Sequence, residues 1–438
     1  MKYSDSIKTI LLAAIDELAA TPEKYAQRPG KDFTRYRKLG FRQLLLMFLT
    51  MEGECIREEI YTYFGRSTDA PSKAAYYKQM QKLKTCALRH LLFAFNNRLK
   101  NNLYNGKYQL IACDGSALDI FRNPDDPDTF FNPNSRSPKG YNQVYINACF
   151  SILDRRFTDL VIQPGRKRNE YSAFCQMVDA AGSGGPTVVY ICDRGYASYN
   201  NYAHAIENGQ YFLIRCTDVK TEALLGHSLE KIREMDVHVE RILSRSKAIK
   251  RMSRPELAAD YRYICADVPM DYLTDNRCEY DISLRIIRFE TAPGVFVNLI
   301  TNLPDNEFDI DDFSELYHLR WSQENAYRDI KYPLCLKALH SKKYEYVVKE
   351  IWARAILHNF SSEIALHVEI DKPDRKHEYR VNYSEAFKIC RDFLRSHGGK
   401  TRMDVEGLIA QNIEAVRPDR IFPRQKRFKI PMSFCYRN

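Results

Sequence analysis

The strongest constraint on the fold is an alternation of strand and helix patterns between residues 106 and 216. Apolar or alternating segments bounded by turn residues predict strands, and apolar residues at three- and four-residue spacing predict helices. Three strand patterns in succession, followed by strand–helix–strand units, predict an α/β fold with a mixed sheet and helices on its faces. The segments are strands at 108–114, 142–154 and 157–164, a helix at 170–181, a strand at 187–192, a helix at 198–208 and a strand at 211–216.

Residues 1–105 are helical in pattern and predict an N-terminal helical DNA-binding domain. Ser72 is placed to cap a third helix that runs to about Leu83 and carries Lys73 and Lys78. Two short helices, a turn and a basic helix suit insertion into a major groove. The alternative is an ordinary helical bundle with a lysine-rich solvated face.

The rest of the chain predicts three further parts. Residues 106–216 predict the first part of a mixed-sheet core, and residues 217–305, with a basic run at 238–254, predict a β-rich insertion. Residues 306–366 return to the core and include a strongly apolar helix. Residues 367–438 predict a C-terminal helical region and a basic tail, in which Arg424 and Lys426 are candidate phosphate contacts.

The composition fits a folded intracellular protein with a polyanionic partner. The chain has 438 residues, is 45% hydrophobic and carries a formal charge of +10, which permits nucleic-acid binding without proving it. Its 12 cysteines include no CxxC pair, so we expect reduced thiols and a cytoplasmic location. The apolar run ILLAAI is too short to span a bilayer, and we expect no membrane partner.

Four residues between positions 317 and 331 have the spacing of one helical face. Tyr317, Arg320, Glu324 and Lys331 follow each other at intervals of three, four and seven residues, which predicts a single stripe beside a buried face. A carboxylate between cations and a phenol suits a phosphate beside a metal ion. The alternative is an exposed helix with one weak Arg320–Glu324 pair.

Two aspartates complete a possible metal site. Asp114 follows the strand pattern LIAC and Asp193 follows VVYIC, so both are expected at strand ends, where an aspartate is often only a turn former. Together with Glu324 they offer three carboxylates, and oxygen-only ligation favours Mg²⁺, with Mn²⁺ as a substitute. We expect two ions, bridged by Asp114, for phosphodiester hydrolysis.

These residues resemble the DDE transposases of bacterial insertion sequences, in the branch with a Tyr-x2-Arg-x3-Glu-x6-Lys (YREK) signature. Tyr317, Arg320, Glu324 and Lys331 match every spacing of that signature. The DGS at Asp114 and the DRGY at Asp193 are similar to the family's first and second catalytic aspartates. The resemblance covers about residues 35–430.

The resemblance implies a ribonuclease H-like core and a DNA transposase that moves an insertion sequence by cutting and pasting. Water would nick the element's end, and the freed 3′-hydroxyl would attack the opposite strand and later the target DNA. Tyr317, Arg320 and Lys331 would contact phosphates of that end. The implied partners are double-stranded DNA with terminal inverted repeats, target DNA and a second copy of the chain, as a homodimer in a synaptic complex associated with the nucleoid.

Further cations are weaker candidates for DNA contact, with structural salt bridges as the alternative. They are Lys139, Arg166, Arg168 and Arg215. Of the two tryptophans, Trp352 is expected in the core and Trp321 is left open. Two other functions remain possible at this stage: a domesticated DNA-binding protein or regulator derived from a transposase, and a stand-alone nuclease with the same core.

Overall fold

A ten-stranded mixed sheet forms the centre of the protein. The computed structural model describes residues 2–135, 137–182, 184–250, 260–370, 378–396 and 403–416. The strands of the central sheet are β1 (Tyr108–Ile120), β2 (Phe130–Phe131), β3 (Tyr141–Ser151), β4 (Arg156–Pro164), β5 (Thr187–Cys192), β6 (Tyr211–Cys216), β7 (Met235–Ser244), β8 (Tyr261–Tyr263), β9 (Glu279–Ala292) and β10 (Val295–Thr301). A separate two-stranded sheet pairs β11 (Tyr379–Val381) with β12 (Ile413–Ala415).

Helices precede the sheet, connect its strands and follow it. Those before the sheet are α1 (Tyr3–Ala20), α2 (Phe41–Thr50), α3 (Ile56–Tyr63), α4 (Lys73–Met80) and α5 (Cys86–Asn96). Those between its strands are α6 (Glu170–Ala181), α7 (Tyr199–Glu207), α8 (Asp218–Leu225) and α9 (Lys247–Lys250). Those after it are α10 (Ile310–Leu319), α11 (Trp321–Lys331), α12 (Tyr344–Leu366), α13 (Tyr383–Arg395) and α14 (Val405–Gln411).

The predicted mixed sheet is confirmed. Strand β3 pairs antiparallel with β1 and with β4, which makes the meander. Strands β1, β5 and β6 are parallel neighbours, and α6 and α7 lie in the connections between them, as the strand–helix–strand pattern predicts. The parallel strands are apolar on both faces because helices cover both.

Alternation along β1 separates two hydrophobic clusters. Leu110 and Ala112 belong to a cluster with Phe313 and Leu316 of α10. Ile111 and Cys113 point to the other face, where the cluster contains residues of α6 and α7. Successive side chains of a strand point to opposite faces, so the sheet lies between the two layers of helices.

Within its described residues, the segment predicted as a β-rich insertion contains β7, β8, β9 and β10, which extend the central sheet. Strand β10 pairs antiparallel with β6, β9 with β10, and β7 with β9. The first part of the basic run predicted at 238–254 therefore lies in β7, and residues 251–254 lie outside the described residues.

The N-terminal helices share one hydrophobic cluster with α12. That cluster includes Leu11 of α1, Leu45 of α2 and Leu92 of α5 together with Ile356 of α12. Trp352 of α12 is 4% exposed, which confirms its predicted place in the core. The predicted cap of α4 is also confirmed, since the Ser72 side chain accepts a hydrogen bond from the Ala75 N–H.

The cysteines of the described residues are all free. Cys113, Cys149, Cys192 and Cys216 are buried. Across the same described ranges, no helix is long and apolar enough to cross a membrane.

Candidate active site

Asp114 and Asp193 lie where β1 and β5 separate. The parallel pairing of these strands ends at the pair Cys113 and Cys192, so the next residue of each strand is an aspartate. The prediction that Asp114 ends its strand is wrong, because β1 continues to Ile120 in antiparallel pairing with β3. The strand-end position predicted for Asp193 is confirmed.

The Asp193 carboxylate is fixed by the turn that follows it. Its Oδ1 accepts a hydrogen bond of 2.7 Å from the Gly195 N–H, and residues Arg194–Tyr196 form one turn of 3-10 helix. A side chain at position 195 would stand 2.9 Å from the same carboxylate oxygen. Because glycine has no Cβ atom, residue 195 leaves space for the Asp193 carboxylate.

The segment from Tyr317 to Lys331 consists of two helices, so the predicted single helix is wrong. Helix α10 ends at Leu319 and α11 begins at Trp321. Arg320 between them keeps helical dihedral angles, φ −52° and ψ −32°, but its N–H donates to the Tyr317 carbonyl, three residues back, at 3.3 Å. The tighter hydrogen bonding of a 3-10 turn interrupts the α-helical pattern there.

Arg320 is a buried cation between two of the three carboxylates. Its Nη1 lies 3.8 Å from Asp114 Oδ2 and its Nη2 lies 3.6 Å from Glu324 Oε1. The side chain is 7% exposed, and within the described residues its Nε has no hydrogen-bond partner. Burial alone would lower the pKa of Arg320, but Tyr317 and the three carboxylates raise it. The guanidinium therefore remains charged.

The charges of Asp193 and Glu324 act on the Asp114 carboxyl. The pKa of Asp114 is raised to about 6: burial is the largest cause and the two negative charges add to it, while the Gly115 N–H and the Arg320 charge lower it. Like charges shift a pKa in this way at short range. Asp193 and Glu324 therefore lie in the neighbourhood of Asp114.

A row of donors on α11 attaches this helix to β1 and β3. The Gln323 Nε2 donates to the Ala148 carbonyl at 2.8 Å, and the Tyr327 hydroxyl lies 2.8 Å from the Asp114 carbonyl and 3.1 Å from that of Ile146. Lys331 Nζ completes the row. Sequence reasoning missed Gln323 and Tyr327, although their four-residue spacing from Lys331 was a visible signal.

Lys331 bonds to the strand that carries Asp114. Its Nζ donates to Ser116 Oγ at 2.6 Å and to the Ala117 carbonyl at 2.8 Å. Burial, followed by the charge of Lys337, lowers its pKa to about 8.

Tyr317 and Arg215 meet beside the same site. Tyr317 is 9% exposed, and burial raises the pKa of its hydroxyl while the charges of Arg320 and Arg215 lower it. The structure therefore brings together Asp114, Asp193, Glu324, Arg320, Tyr317 and Arg215.

The other predicted DNA contacts are surface cations where the structure describes them. Lys139, Arg166 and Arg168 are exposed, and the guanidinium of Arg166 lies 5.6 Å from the ring centre of Phe131. Lys73 and Lys78 are exposed on α4. Arg424 and Lys426 lie outside the described residues. Trp321 is 44% exposed at the first position of α11.

The donor set fits a hard divalent cation in its chemistry. All three side chains are carboxylates, and Mg²⁺ or Mn²⁺ prefers oxygen ligands. Across the described ranges, no group of three or more histidine, cysteine or acidic side chains is placed to hold a metal ion. The fit of the three carboxylates to such an ion is therefore one of chemistry.

Comparisons with known proteins point to one family. The family model described as a transposase DDE domain matches residues 105–360, which is more than half of the 438 residues. No curated protein matches the chain. Among solved structures, the chain is similar to the piggyBac transposase synaptic complex with hairpin DNA, with 10% identity, a TM-score of 0.46, and coverage of 89% of this chain and 77% of that chain. By the match of the family model, the protein belongs to the family of transposases with a DDE domain.

Proposed function

We propose that the protein cleaves DNA at the ends of an insertion sequence and transfers those ends to a target, by cut-and-paste transposition at a DDE triad of Asp114, Asp193 and Glu324. The observation that carries this proposal is the buried Arg320 guanidinium, which lies 3.8 Å from Asp114 of β1 and 3.6 Å from Glu324 of α11 and is also under the charge of Asp193 at the end of β5. We assign the sheet that bears them to a ribonuclease H-like core, which the meander and the parallel strands support.

The three carboxylates would hold Mg²⁺, or Mn²⁺ in its place, with two ions per site. Such ions, when bound, lower the pKa of the attacking water and stabilise the leaving oxygen of a phosphodiester. Asp114 lies on β1 and Asp193 directly follows β5, and Glu324 would be brought to them by the hydrogen bonds that attach α11 to the sheet. The Gly195 N–H also holds the Asp193 carboxylate through its Oδ1.

Arg320, Tyr317 and Lys331 would act on the phosphate of the DNA end. Arg320 is charged, desolvated and adjacent to two carboxylates, so it is placed to offset the charge of a phosphate that enters the site. Tyr317 packs against it, with its ring centre 5.6 Å from the guanidinium. Lys331 would contribute a positive charge beside Ser116, although its present partners are groups of β1.

We place the DNA duplex along the exposed cations outside the site. Lys139, Arg166 and Arg168 lie on the side of β3, and Lys73 and Lys78 lie on α4, in the region proposed as the N-terminal DNA-binding domain. A homodimer would hold two ends with inverted repeats in a synaptic complex. Replacing such cations should weaken binding and reduce its salt dependence.

The experiment uses DNA from both sides of the coding sequence, where inverted repeats would mark the ends. With Mg²⁺, the protein should nick these ends and join them to target DNA. Asp193→Ala and Glu324→Ala should abolish nicking and retain binding, while Glu315→Ala, which removes an exposed carboxylate from α10, should nick like the parent.

Other outcomes of the same experiment would support the alternative functions. Specific binding without nicking, together with the absence of flanking inverted repeats, would favour a domesticated regulator. Nicking without preference for the element's ends in a competition assay would favour a stand-alone nuclease.

A further inference from the structure

We propose that Tyr145 and Glu170 are positioning residues that set the separation between Asp114 and Asp193. The inference rests on the proposed function, in which these aspartates hold metal ions. Neither Tyr145 nor Glu170 belongs to the triad or to the helix signature. They form a bridge from the backbone beside one aspartate to the turn that carries the other.

The first half of the bridge lies over β1. Tyr145 stands on β3 in register with Ala117 of β1, and its ring covers Gly115, the residue after Asp114. A Cβ atom at position 115 would lie 2.6 Å from the Tyr145 hydroxyl and would also collide with the ring. The ring therefore rests directly on the backbone that carries Asp114.

The second half runs from the Tyr145 hydroxyl to the Asp193 turn. The hydroxyl donates a short hydrogen bond to Glu170 Oε1. The other oxygen, Oε2, lies 3.2 Å from the place of a Cβ atom at position 195. The N–H of Gly195 donates to Asp193 Oδ1, so Glu170 borders the residue that holds the second aspartate.

Neighbouring groups hold Tyr145 and Glu170 in place. Glu170 is the first residue of α6, whose start is fixed by the Asn169 side chain accepting from the Ser172 N–H. The Arg168 guanidinium lies 5.5 Å from the ring centre of Tyr145. Burial and the hydrogen bond to Glu170 raise the pKa of Tyr145 above its ordinary value, so the hydroxyl keeps its proton and remains a donor.

A contact that fixes the separation of the two aspartates is useful because they lie on different backbone elements. Asp114 lies within a long strand and is paired there with β3, whereas Asp193 lies in a turn beyond the end of β5. Their like charges repel in the absence of a cation. The hydrogen bond between Tyr145 and Glu170 opposes this repulsion without occupying the carboxylate oxygens of Asp114 and Asp193.

The variants separate positioning from direct ligation. Tyr145→Phe and Glu170→Ala both remove the hydrogen bond, whereas Glu170→Gln removes the charge and keeps an oxygen that accepts it. Tyr141→Phe is the matched control, since it alters a tyrosine on the same strand about 14 Å away. All are made in the full chain, and thermal unfolding checks that each remains folded.

Two measurements test the inference. The first is the binding of Mn²⁺ to the protein without DNA, followed by the paramagnetic resonance of the free ion. The second is the rate of nicking against Mn²⁺ concentration, with end binding measured in parallel. Tyr145→Phe and Glu170→Ala should bind Mn²⁺ roughly 10- to 100-fold more weakly, with end binding unchanged, while Glu170→Gln and Tyr141→Phe should stay close to the parent.

Three results would overturn the inference or the function separately. Parental Mn²⁺ binding in both Tyr145→Phe and Glu170→Ala would overturn the positioning role. Weak binding in both Glu170 variants with normal binding in Tyr145→Phe would overturn it too, because Glu170 would then ligate the metal itself. A parent that binds Mn²⁺ but does not nick DNA would overturn the proposed function, and Mn²⁺ binding would still decide the role of the bridge.

Discussion

At the scale of single residues, the site is a balance of charges in a partly buried place. The ionised form of Asp114 is destabilised, since burial and two neighbouring carboxylates raise its pKa to about 6. The Arg320 guanidinium, 3.8 Å away, offsets part of this destabilisation. The residue types of the site were predictable from the sequence, because oxygen ligands and cations suit a metal beside a phosphate. The inward position of Arg320 was not, because it depends on the break between α10 and α11.

The Asp114→Asn substitution should stabilise the metal-free protein above pH 6. In the parent, the Asp114 carboxyl keeps its proton up to about pH 6 in the folded state but loses it near pH 3.8 in the unfolded state. The stability of the folded state therefore falls as pH rises between these values. The gain should reach at most about 3 kcal/mol and disappear below pH 4. Urea unfolding in the presence of a chelator measures this gain in unfolding free energy, and the exposed Asp119→Asn is the control. An equal gain at pH 3.5 and at pH 8 would contradict the proposed balance of charges at Asp114.

The Gly115→Ala substitution should impair nicking while DNA binding persists. The added methyl group would meet the Tyr145 ring and hydroxyl, and overpacking of this kind costs about 1–3 kcal/mol. Gly184→Ala is the control, because a Cβ atom there meets nothing within 4 Å. Equal nicking rates for the two variants would show that the ring is free to move without disturbing Asp114.

At the scale of secondary structure, α11 positions Glu324 beside the sheet. Its donors face β1 and β3, while Glu324 is 38% exposed toward the site. The sequence predicted the helical character of this segment and most of the neighbouring strands. It did not predict the continuation of β1 beyond Asp114, since DGSALD has no strong strand pattern and is held there by pairing with β3.

The Tyr327→Phe substitution should destabilise the protein and slow nicking together. It removes a buried donor from the carbonyls of Asp114 and Ile146, which should cost about 1–3 kcal/mol of unfolding free energy. The control is Tyr36→Phe, since Tyr36 is 98% exposed. Chemical unfolding and single-turnover nicking measure the two effects, and a loss of stability with an unchanged nicking rate would show that α11 keeps Glu324 in place without this bond.

At the scale of the whole molecule, the N-terminal helices and the core share their interior. One hydrophobic cluster runs from α1, α2 and α5 to α12, and a buried ionic group joins the same regions. His340 lies 3.0 Å from Glu350 of α12 and 3.5 Å from Glu59 of α3. A shared interior of this kind could not be predicted from local patterns, because it depends on contacts between residues about 300 positions apart.

The protein should lose stability between about pH 6.5 and pH 9. Burial alone would lower the pKa of His340, but Glu350 and Glu59 raise it to about 9. Its protonated form therefore contributes stability that is complete below pH 6.5 and is lost as pH rises through 9, about 3 kcal/mol in all. Urea midpoints across this range should fall in the parent and in His227→Gln, an exposed control, and stay nearly level in His340→Gln; the same fall in His340→Gln would contradict the assignment.

The central claim is that Asp114, Asp193 and Glu324 meet at one metal site. The most direct test replaces Mg²⁺ by Fe²⁺ with ascorbate, so that radicals formed at the bound ion cut the nearby backbone. We expect three groups of cuts together, near residues 114, 193 and 324, competed by Mg²⁺ and lost in Glu324→Ala. Cuts at only one of these places, or an unchanged pattern in Glu324→Ala, would contradict the claim.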